Sequence, residues 1–169
     1  EACAMIQEQV TRCARMTRTL QLRCGDAGLA SRAAAASCDA VRVLRDIAPV
    51  LEDALSRRIT LIVETAEDEL LVNATAEDLQ TAWLLLAYDA AARVRGNARI
   101  TLRAGEDGRE VVLSAEASGT GDAASRAVVQ TASCADALAA LAQRIGATHS
   151  SIGDAAQSTR SLRLARAPA

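Results

Sequence analysis

Residues 77–121 decide the fold of this chain, and they read EDLQTAWLLLAYDAAARVRGNARITLRAGEDGREVVLSAEASGTG. The first half repeats apolar side chains every three or four residues, which is the spacing of one helix face. Two alternating runs follow, at 98–104 and 110–117, and residues 105–108 (GEDG) between them are typical of a hairpin turn. The stretch ends at 119–121 (GTG). It therefore predicts a helix, a two-stranded hairpin and a glycine-bearing loop.

Capping signals upstream define two helices. Thr75 stands three residues before Asp78, the spacing of a capping box, so the central helix is expected to begin there and run to about Arg95. Asp39 is a candidate N-cap for an earlier helix that ends near Ser56. Because Pro49 lies inside that helix, we expect a kink or a break into two pieces.

The remaining elements complete a mixed α and β pattern. β-branched or aliphatic runs predict strands, and a leucine stripe followed by glycine predicts the last helix. The predicted elements are strands at 59–63 and 70–72, a helix at 135–145 ended by Gly146, and closing strands at Ile152 and 161–167 around Gly153-Asp154. This order predicts an α+β two-layer sandwich, in which helices cover one face of a mixed sheet.

The N-terminal part predicts one long amphipathic helix over residues 2–24, ended by Gly25. Its apolar stripe cannot stay exposed to water, so it is expected to pack on the chain, a missing helix or a second protomer. Residues 29–37 are Ala-rich and weakly patterned, which indicates a linker or a short helical turn.

Composition excludes several classes of function. The chain has 169 residues, a net charge of -2 and five cysteines without C-x-x-C spacing. This charge gives no electrostatic case for binding nucleic acid or an anionic membrane, and the cysteine spacing suggests neither a disulfide framework nor a zinc site. The longest apolar run is too short to span a bilayer. Reduced thiols and the lack of a signal peptide indicate a cytoplasmic protein.

In several of these segments the chain resembles the C-terminal core of a sensor histidine kinase. Residues 5–25 (MIQEQVTRCARMTRTLQLRCG) resemble the second helix of the dimerisation and phosphotransfer hairpin. Residues 73–94 resemble the N-box helix of the ATP-binding domain, and 111–121 resemble the strand entering its first glycine box. The resemblance implies a GHKL-type sandwich over 57–169, a hairpin helix over 1–28 and a connecting helical segment over 29–56.

The nucleotide motifs of that family are altered here. The two N-box asparagines, of which the second binds magnesium, correspond to Leu85 and Asp89. Asp89 is a possible oxygen ligand for a metal, but it adds negative charge beside the triphosphate. Ala117 replaces the aspartate that accepts the adenine amino group, although Gly119 and Gly121 remain. A lost hydrogen bond in a buried pocket costs about 1–3 kcal/mol.

The second glycine box is also altered. Residues 133–136 (SCAD) stand in its place, just before Leu138 and at the expected start of the last helix. A helix start attracts anions, but Asp136 in its first turn would oppose a phosphate. Three altered motifs together predict that ATP binding has been lost, so no cofactor is expected; ATP with magnesium is the alternative.

The phosphoacceptor histidine of the family lies on the first hairpin helix, which this chain does not contain. The only histidine, His149, follows the last predicted helix and matches no phosphoacceptor pattern, so we interpret it as a surface residue. The resemblance implies a homodimer through the N-terminal helix. It also implies that an arginine series contacts the acidic pocket of a response-regulator receiver domain: Arg12, Arg15, Arg18 and Arg23.

The leading hypothesis is a degenerate, pseudokinase-like module that acts by protein recognition in a two-component pathway, with a response regulator or a partner kinase. Three alternatives stay open. The chain could be an active kinase fragment with a divergent pocket, or an ATP-independent histidine phosphotransferase on a kinase-like scaffold. It could also be an unrelated α+β interaction domain. The sequence alone therefore does not decide whether the chain is an enzyme.

Overall fold

The computed structural model describes residues 37–55, 58–94, 97–119, 128–153 and 157–167. The elements in chain order are β1 (Ser37–Asp39), α1 (Ala40–Ala54), β2 (Ile59–Thr65), β3 (Leu71–Asn73), α2 (Ala76–Arg93), β4 (Ala98–Asp107), β5 (Glu110–Gly119), α3 (Val128–Ile145), β6 (Thr148–Gly153) and β7 (Gln157–Ala165). The predicted helix at 2–24 and most of the 29–37 segment lie outside the described residues.

Five of these strands form one mixed sheet in the order β2-β4-β5-β7-β6. β2 runs parallel to β4, with Ile59 opposite Ala98, and the other neighbours are antiparallel. β1 and β3 form a separate antiparallel pair. β1 was not predicted: Ser37, which we assigned to a linker, begins it. The sandwich predicted from the element order is confirmed.

The helices cover one face of the sheet. Successive side chains of a strand alternate between the two faces, so apolar residues at every second position form the face that the helices bury. Along β5, Val111, Leu113, Ala115 and Ala117 are buried, whereas the residues between them are half-buried. Trp83 of α2 is 0 % exposed and belongs to the same apolar core. The buried residues of α1 also belong to this core, so the helix predicted as a connecting segment packs within the fold.

The predicted helix caps are confirmed. The Asp39 side chain accepts hydrogen bonds from the backbone N–H of Val41 and of Leu70, each at 3.0 Å. One carboxylate therefore caps α1 and also binds the residue before β3. At α2, the Thr75 hydroxyl accepts from the N–H of Asp78 at 3.1 Å. The predicted break at Pro49 is wrong. Its ring lies on the exposed side of α1, where water can solvate the carbonyl that lacks its helical partner.

The predicted hairpin is confirmed, but its turn is shorter than expected. Residues 105–107 continue β4, so only Gly108 and Arg109 form the turn. Gly108 has φ of 68°, and two-residue hairpin turns need such a value at a central position, which glycine adopts without strain.

The closing elements also begin earlier than predicted. α3 begins at Val128 instead of about Ala135, and the closing strands β6 and β7 begin at Thr148 and Gln157. Gly146, at φ of 67°, ends α3 as expected. No helix within the described ranges is both long and apolar enough to cross a membrane.

Candidate functional site

The site positions predicted on the central helix lie one turn apart and are both buried. Leu85 is 4 % exposed and Asp89 is 0 % exposed. Residues four apart share a helix face, so these two side chains point into the same side of the core. A leucine adds only apolar surface there. Asp89 is the polar residue that needs a physical explanation, because a buried carboxylate without partners is strongly unfavourable.

Two arginines hold the Asp89 carboxylate. The Nε atom of Arg93, one turn further along α2, lies 2.9 Å from Oδ2, and its Nη2 donates to Oδ1 at 3.3 Å. The Nε atom of Arg160, on β7, lies 3.2 Å from the same Oδ2. The two Nε contacts are ion pairs without an aligned hydrogen bond. The carboxylate therefore links the central helix to the sheet mainly by charge.

His149 lies next to this ion-pair network. Its Nε2 atom is 3.3 Å from Nη1 of Arg160, and because a guanidinium can only donate, Nε2 acts as the acceptor and the proton lies on Nδ1. Burial and the positive charge of Arg160 lower the pKa of His149, and Asp89 partly opposes this shift. Our interpretation of His149 as a surface residue is corrected: it is a half-buried residue of β6.

Cys134 of α3 completes the group, which we call the Asp89 cluster: Asp89, Arg93, Arg160, His149 and Cys134. Burial first, and then the charge of Asp89, raise the pKa of the Cys134 thiol, so it stays protonated and weakly nucleophilic at neutral pH. With a neutral imidazole and thiol, the cluster has one negative and two positive charges. It therefore carries a net charge of +1.

This charge does not suit a divalent metal ion. Magnesium prefers an octahedron of oxygen ligands, but the cluster offers one carboxylate that two guanidiniums already contact. A cation at Asp89 would face repulsion from both arginines and would have to displace at least one of them. Within the described part of the chain, no group of three His, Cys, Asp or Glu residues could hold a metal ion.

The position predicted to meet adenine is a closed, apolar one. Ala117 lies on the buried face of β5 and is 1 % exposed, and its methyl group offers no hydrogen-bond acceptor. Gly119, at the end of the same strand, lies so close to β4 that an added Cβ would be 3.1 Å from the Cβ of Ala98. This glycine therefore permits close strand packing. Gly121 lies outside the described residues.

The segment that replaces the second glycine box does not begin a helix. Residues 133–136 lie inside α3, about one and a half turns after its first residue, Val128. Their backbone N–H groups thus have helical partners, unlike those of a helix start. The predicted arrangement, in which a helix N-terminus at this segment faces a phosphate and Asp136 opposes it, is wrong.

Sequence reasoning missed most of the Asp89 cluster. The pairing of Asp89 with Arg93 follows from their spacing of four residues on a helix, and the sequence offered that signal. Arg160 lies far away in the sequence, and only the pairing of β5 with β7 brings it beside α2. The predicted partner-binding residues Arg12, Arg15, Arg18 and Arg23 lie outside the described residues.

Comparison with known proteins gives the class of fold. No family model matches the sequence, and no curated protein matches it. The fold is that of histidine-kinase catalytic domains. The catalytic domain of histidine kinase ThkA is 13 % identical, with a TM-score of 0.65 over 79 % of this chain and 98 % of that domain.

Two further solved structures agree. A histidine kinase from Burkholderia phymatum is 19 % identical, with a TM-score of 0.60 over 99 % of this chain and 85 % of that chain. Full-length ShkA, solved in complex with AMPPNP, is 20 % identical, with a TM-score of 0.63 over 79 % of this chain and 32 % of its own length. At such identities the likeness shows the fold.

Proposed function

We propose that this chain is a histidine-kinase-like signalling module of a two-component pathway that has lost ATP binding and acts by protein recognition. One observation carries the proposal. Asp89, at the position where the resemblance implies a magnesium-binding asparagine, is fully buried and ion-paired with Arg93 and Arg160. These ion pairs engage the Asp89 carboxylate within the protein, so it is not available to a nucleotide-bound metal ion.

Two other features support the loss of ATP binding. Ala117 offers no acceptor to the adenine amino group, and such a donor, once buried without a partner, lowers affinity by about 1–3 kcal/mol, or roughly ten- to a hundredfold. Residues 133–136 lie within α3, so their backbone N–H groups are committed to the helix and not available to a phosphate.

The proposed partners are a response regulator or a partner kinase. ThkA, whose fold this chain shares, has been solved in complex with the response regulator TrrA, at 12 % identity and a TM-score of 0.62 over 42 % of the ThkA chain. We extend this mode of association to the present chain. We also propose that residues 6–24 support a homodimer, because the helix predicted there from the sequence would have an apolar stripe that needs a covering surface.

Isothermal titration with AMPPNP tests the loss of nucleotide binding. The purified chain is titrated once with magnesium and once with EDTA, and ShkA, which has been solved with AMPPNP, is the positive control. The proposal predicts heat from ShkA and none from this chain in either buffer. Magnesium-dependent binding at micromolar concentration would contradict it and favour the active-kinase alternative. Binding in EDTA would contradict it as well, since the nucleotide would then bind without magnesium, with arginines donating to its phosphates.

A further inference from the structure

The strand β2 forms one edge of the five-stranded sheet. Among the described strands, only β4 lies beside it. The two strands pair in continuous register, from Ile59 opposite Ala98 to Thr65 opposite Ala104. The first five residues of β2 read ITLIV and contain none of the charges, prolines or bulges by which proteins prevent an edge from pairing. β2 is therefore suited to accept a further strand.

Backbone hydrogen bonds show which groups of β2 face the free edge. The C=O of Arg58 accepts from the N–H of Ala98 at 2.9 Å, and the N–H of Ala66 donates to the C=O of Ala104 at 3.2 Å. Because every second residue bonds to the neighbour in a parallel ladder, the even-numbered residues from 58 to 66 face β4. The odd-numbered residues direct their N–H and C=O groups to the free edge: Ile59, Leu61, Val63 and Thr65. Within the described part of the chain, no strand pairs with them there.

The side chains of β2 leave apolar surface at this edge. Ile59, Leu61 and Val63 pack against the core of the fold, but each is only half-buried. Ile62, beside Thr101 on the other face of the sheet, is also half-buried. A strand added at the edge would remove part of this apolar surface from water, which favours association.

The sequence of β2 is complementary to itself in an antiparallel pair. When Ile62 lies opposite Ile62 of a second copy, Leu61 lies opposite Val63 and Ile59 lies opposite Thr65. These odd-numbered pairs are the ones that exchange two hydrogen bonds each, so this register satisfies every outward N–H and C=O group of the strand. A register shifted by two residues would leave outward groups unpaired at one end of each strand.

Charge favours the antiparallel orientation. Three exposed acidic residues follow β2: Glu67, Asp68 and Glu69. A parallel pair would place these residues of the two copies side by side, whereas an antiparallel pair places them at opposite ends of the joined strands. Glu64, the charged residue within β2, would lie opposite the uncharged Thr60 and could keep its ion pair with Arg103. Within the paired strands, like charges therefore do not oppose each other.

We propose that β2 pairs antiparallel with β2 of a second copy of this chain and so joins the two sheets into one. A single pair of short strands buries a small area, and small interfaces are typical of weak association, so the pairing depends on protein concentration. β2 is distinct from residues 6–24, for which a homodimer is proposed above. Either association can form without the other.

Amide hydrogen exchange of the full chain, resolved to single residues, tests this pairing. The amides of Thr60, Ile62 and Glu64 bond to β4 and should exchange slowly at both micromolar and millimolar protein. The odd-numbered amides of β2 should exchange fast at micromolar protein and at least about tenfold more slowly at millimolar protein, because only the paired strand satisfies them. Association through residues 6–24 would not produce this alternation along β2.

Two lysine variants locate the interface. Ile62→Lys would place two positive charges opposite each other, at a Cα separation of about 4.5 Å, so it should abolish the concentration dependence. Ile152→Lys is the matched control. Ile152 is 74 % exposed and lies in the same row of paired residues as Ile62, but on β6, the other edge of the sheet. It should change exchange in β2 by less than about twofold.

Urea unfolding verifies that both lysine variants are folded. If Ile62→Lys does not fold, the concentration dependence of the unmodified chain still decides the question.

Three results would overturn the proposal. Fast exchange of the odd-numbered amides at both concentrations would show that the edge stays unpaired. Slow exchange at both concentrations that persists in Ile62→Lys would show that another part of the same chain covers the edge. Loss of the concentration dependence in both lysine variants would show that it does not arise at β2.

Discussion

Replacing Asp89 by asparagine removes a buried charge while keeping the size of the side chain. The arginines that contact it, Arg93 and Arg160, would then face each other without a counter-charge, although their side chains keep 21 % and 15 % exposure. Removing one partner of a buried ion pair costs about 3–5 kcal/mol. The residual exposure allows partial solvation of the guanidiniums, so we expect a loss of about 3 kcal/mol in the free energy of unfolding.

Urea unfolding at pH 7 measures this loss. Trp83 is the only tryptophan and is fully buried in the apolar core, so its fluorescence reports on unfolding of the core. With a urea dependence of about 2 kcal/mol per molar, the midpoint should fall by about 1.5 M. Asp68→Asn is the matched control, because Asp68 pairs with Arg45 on the surface; it should cost less than about 1 kcal/mol. An Asp89→Asn midpoint equal to that of the control would show that the buried ion pairs contribute no more to stability than a surface pair.

Three further predictions concern single positions. Gly119→Ala should lower stability by about 1–3 kcal/mol, because its Cβ would crowd Ala98. Gly105→Ala, whose Cβ would have only an ordinary contact, should be neutral or stabilising in the same urea assay; equal losses would contradict the packing argument. The pKa of His149 is lowered below its unfolded value of 6.5. The stability that the neutral imidazole contributes is therefore fully present above pH 6.5 and is lost as the pH falls through the folded pKa. Melting temperatures from pH 7.5 to 5 should therefore fall more for the unmodified chain than for His149→Gln, and parallel curves would exclude this effect. Asp39→Ala removes two hydrogen bonds to backbone N–H groups and should cost about 2 kcal/mol by urea unfolding, whereas a change below about 0.5 kcal/mol would show that solvent replaces the cap.

Local signals in the sequence predicted those parts of the fold that local interactions form. The caps Asp39 and Thr75 and the stop at Gly146 act within one helical turn, so they can be identified without tertiary knowledge. The start of α3 could not be found in this way. Residues 128–134 include the β-branched Val128, Val129 and Thr131, whose weak helix preference is outweighed in the folded chain.

The sequence could predict which residues belong to the candidate site, but not how buried they are or which residues they contact. Leu85, Asp89 and Ala117 were identified from the resemblance, and the burial of all three could not be read from the motif. The partners of Asp89 depend on tertiary structure. Arg160 reaches Asp89 only because β7 lies beside β5, and His149 joins them only because β6 lies beside β7. Such contacts between distant residues carry no periodic signal in one sequence.

The Asp89 cluster should exclude a nucleotide-bound metal ion, and a titration with Mn²⁺ measures whether it does. Mn²⁺ replaces Mg²⁺ at oxygen ligands, and its unpaired electrons broaden the NMR signals of nearby amides. ¹⁵N-labelled protein is titrated with ATP and Mn²⁺ while the amides of residues 85–93 are followed. We expect no selective broadening along this part of α2, beyond that caused by Mn²⁺ without nucleotide. Selective, ATP-dependent broadening centred on Asp89 would contradict it and would show that the site still binds metal and nucleotide.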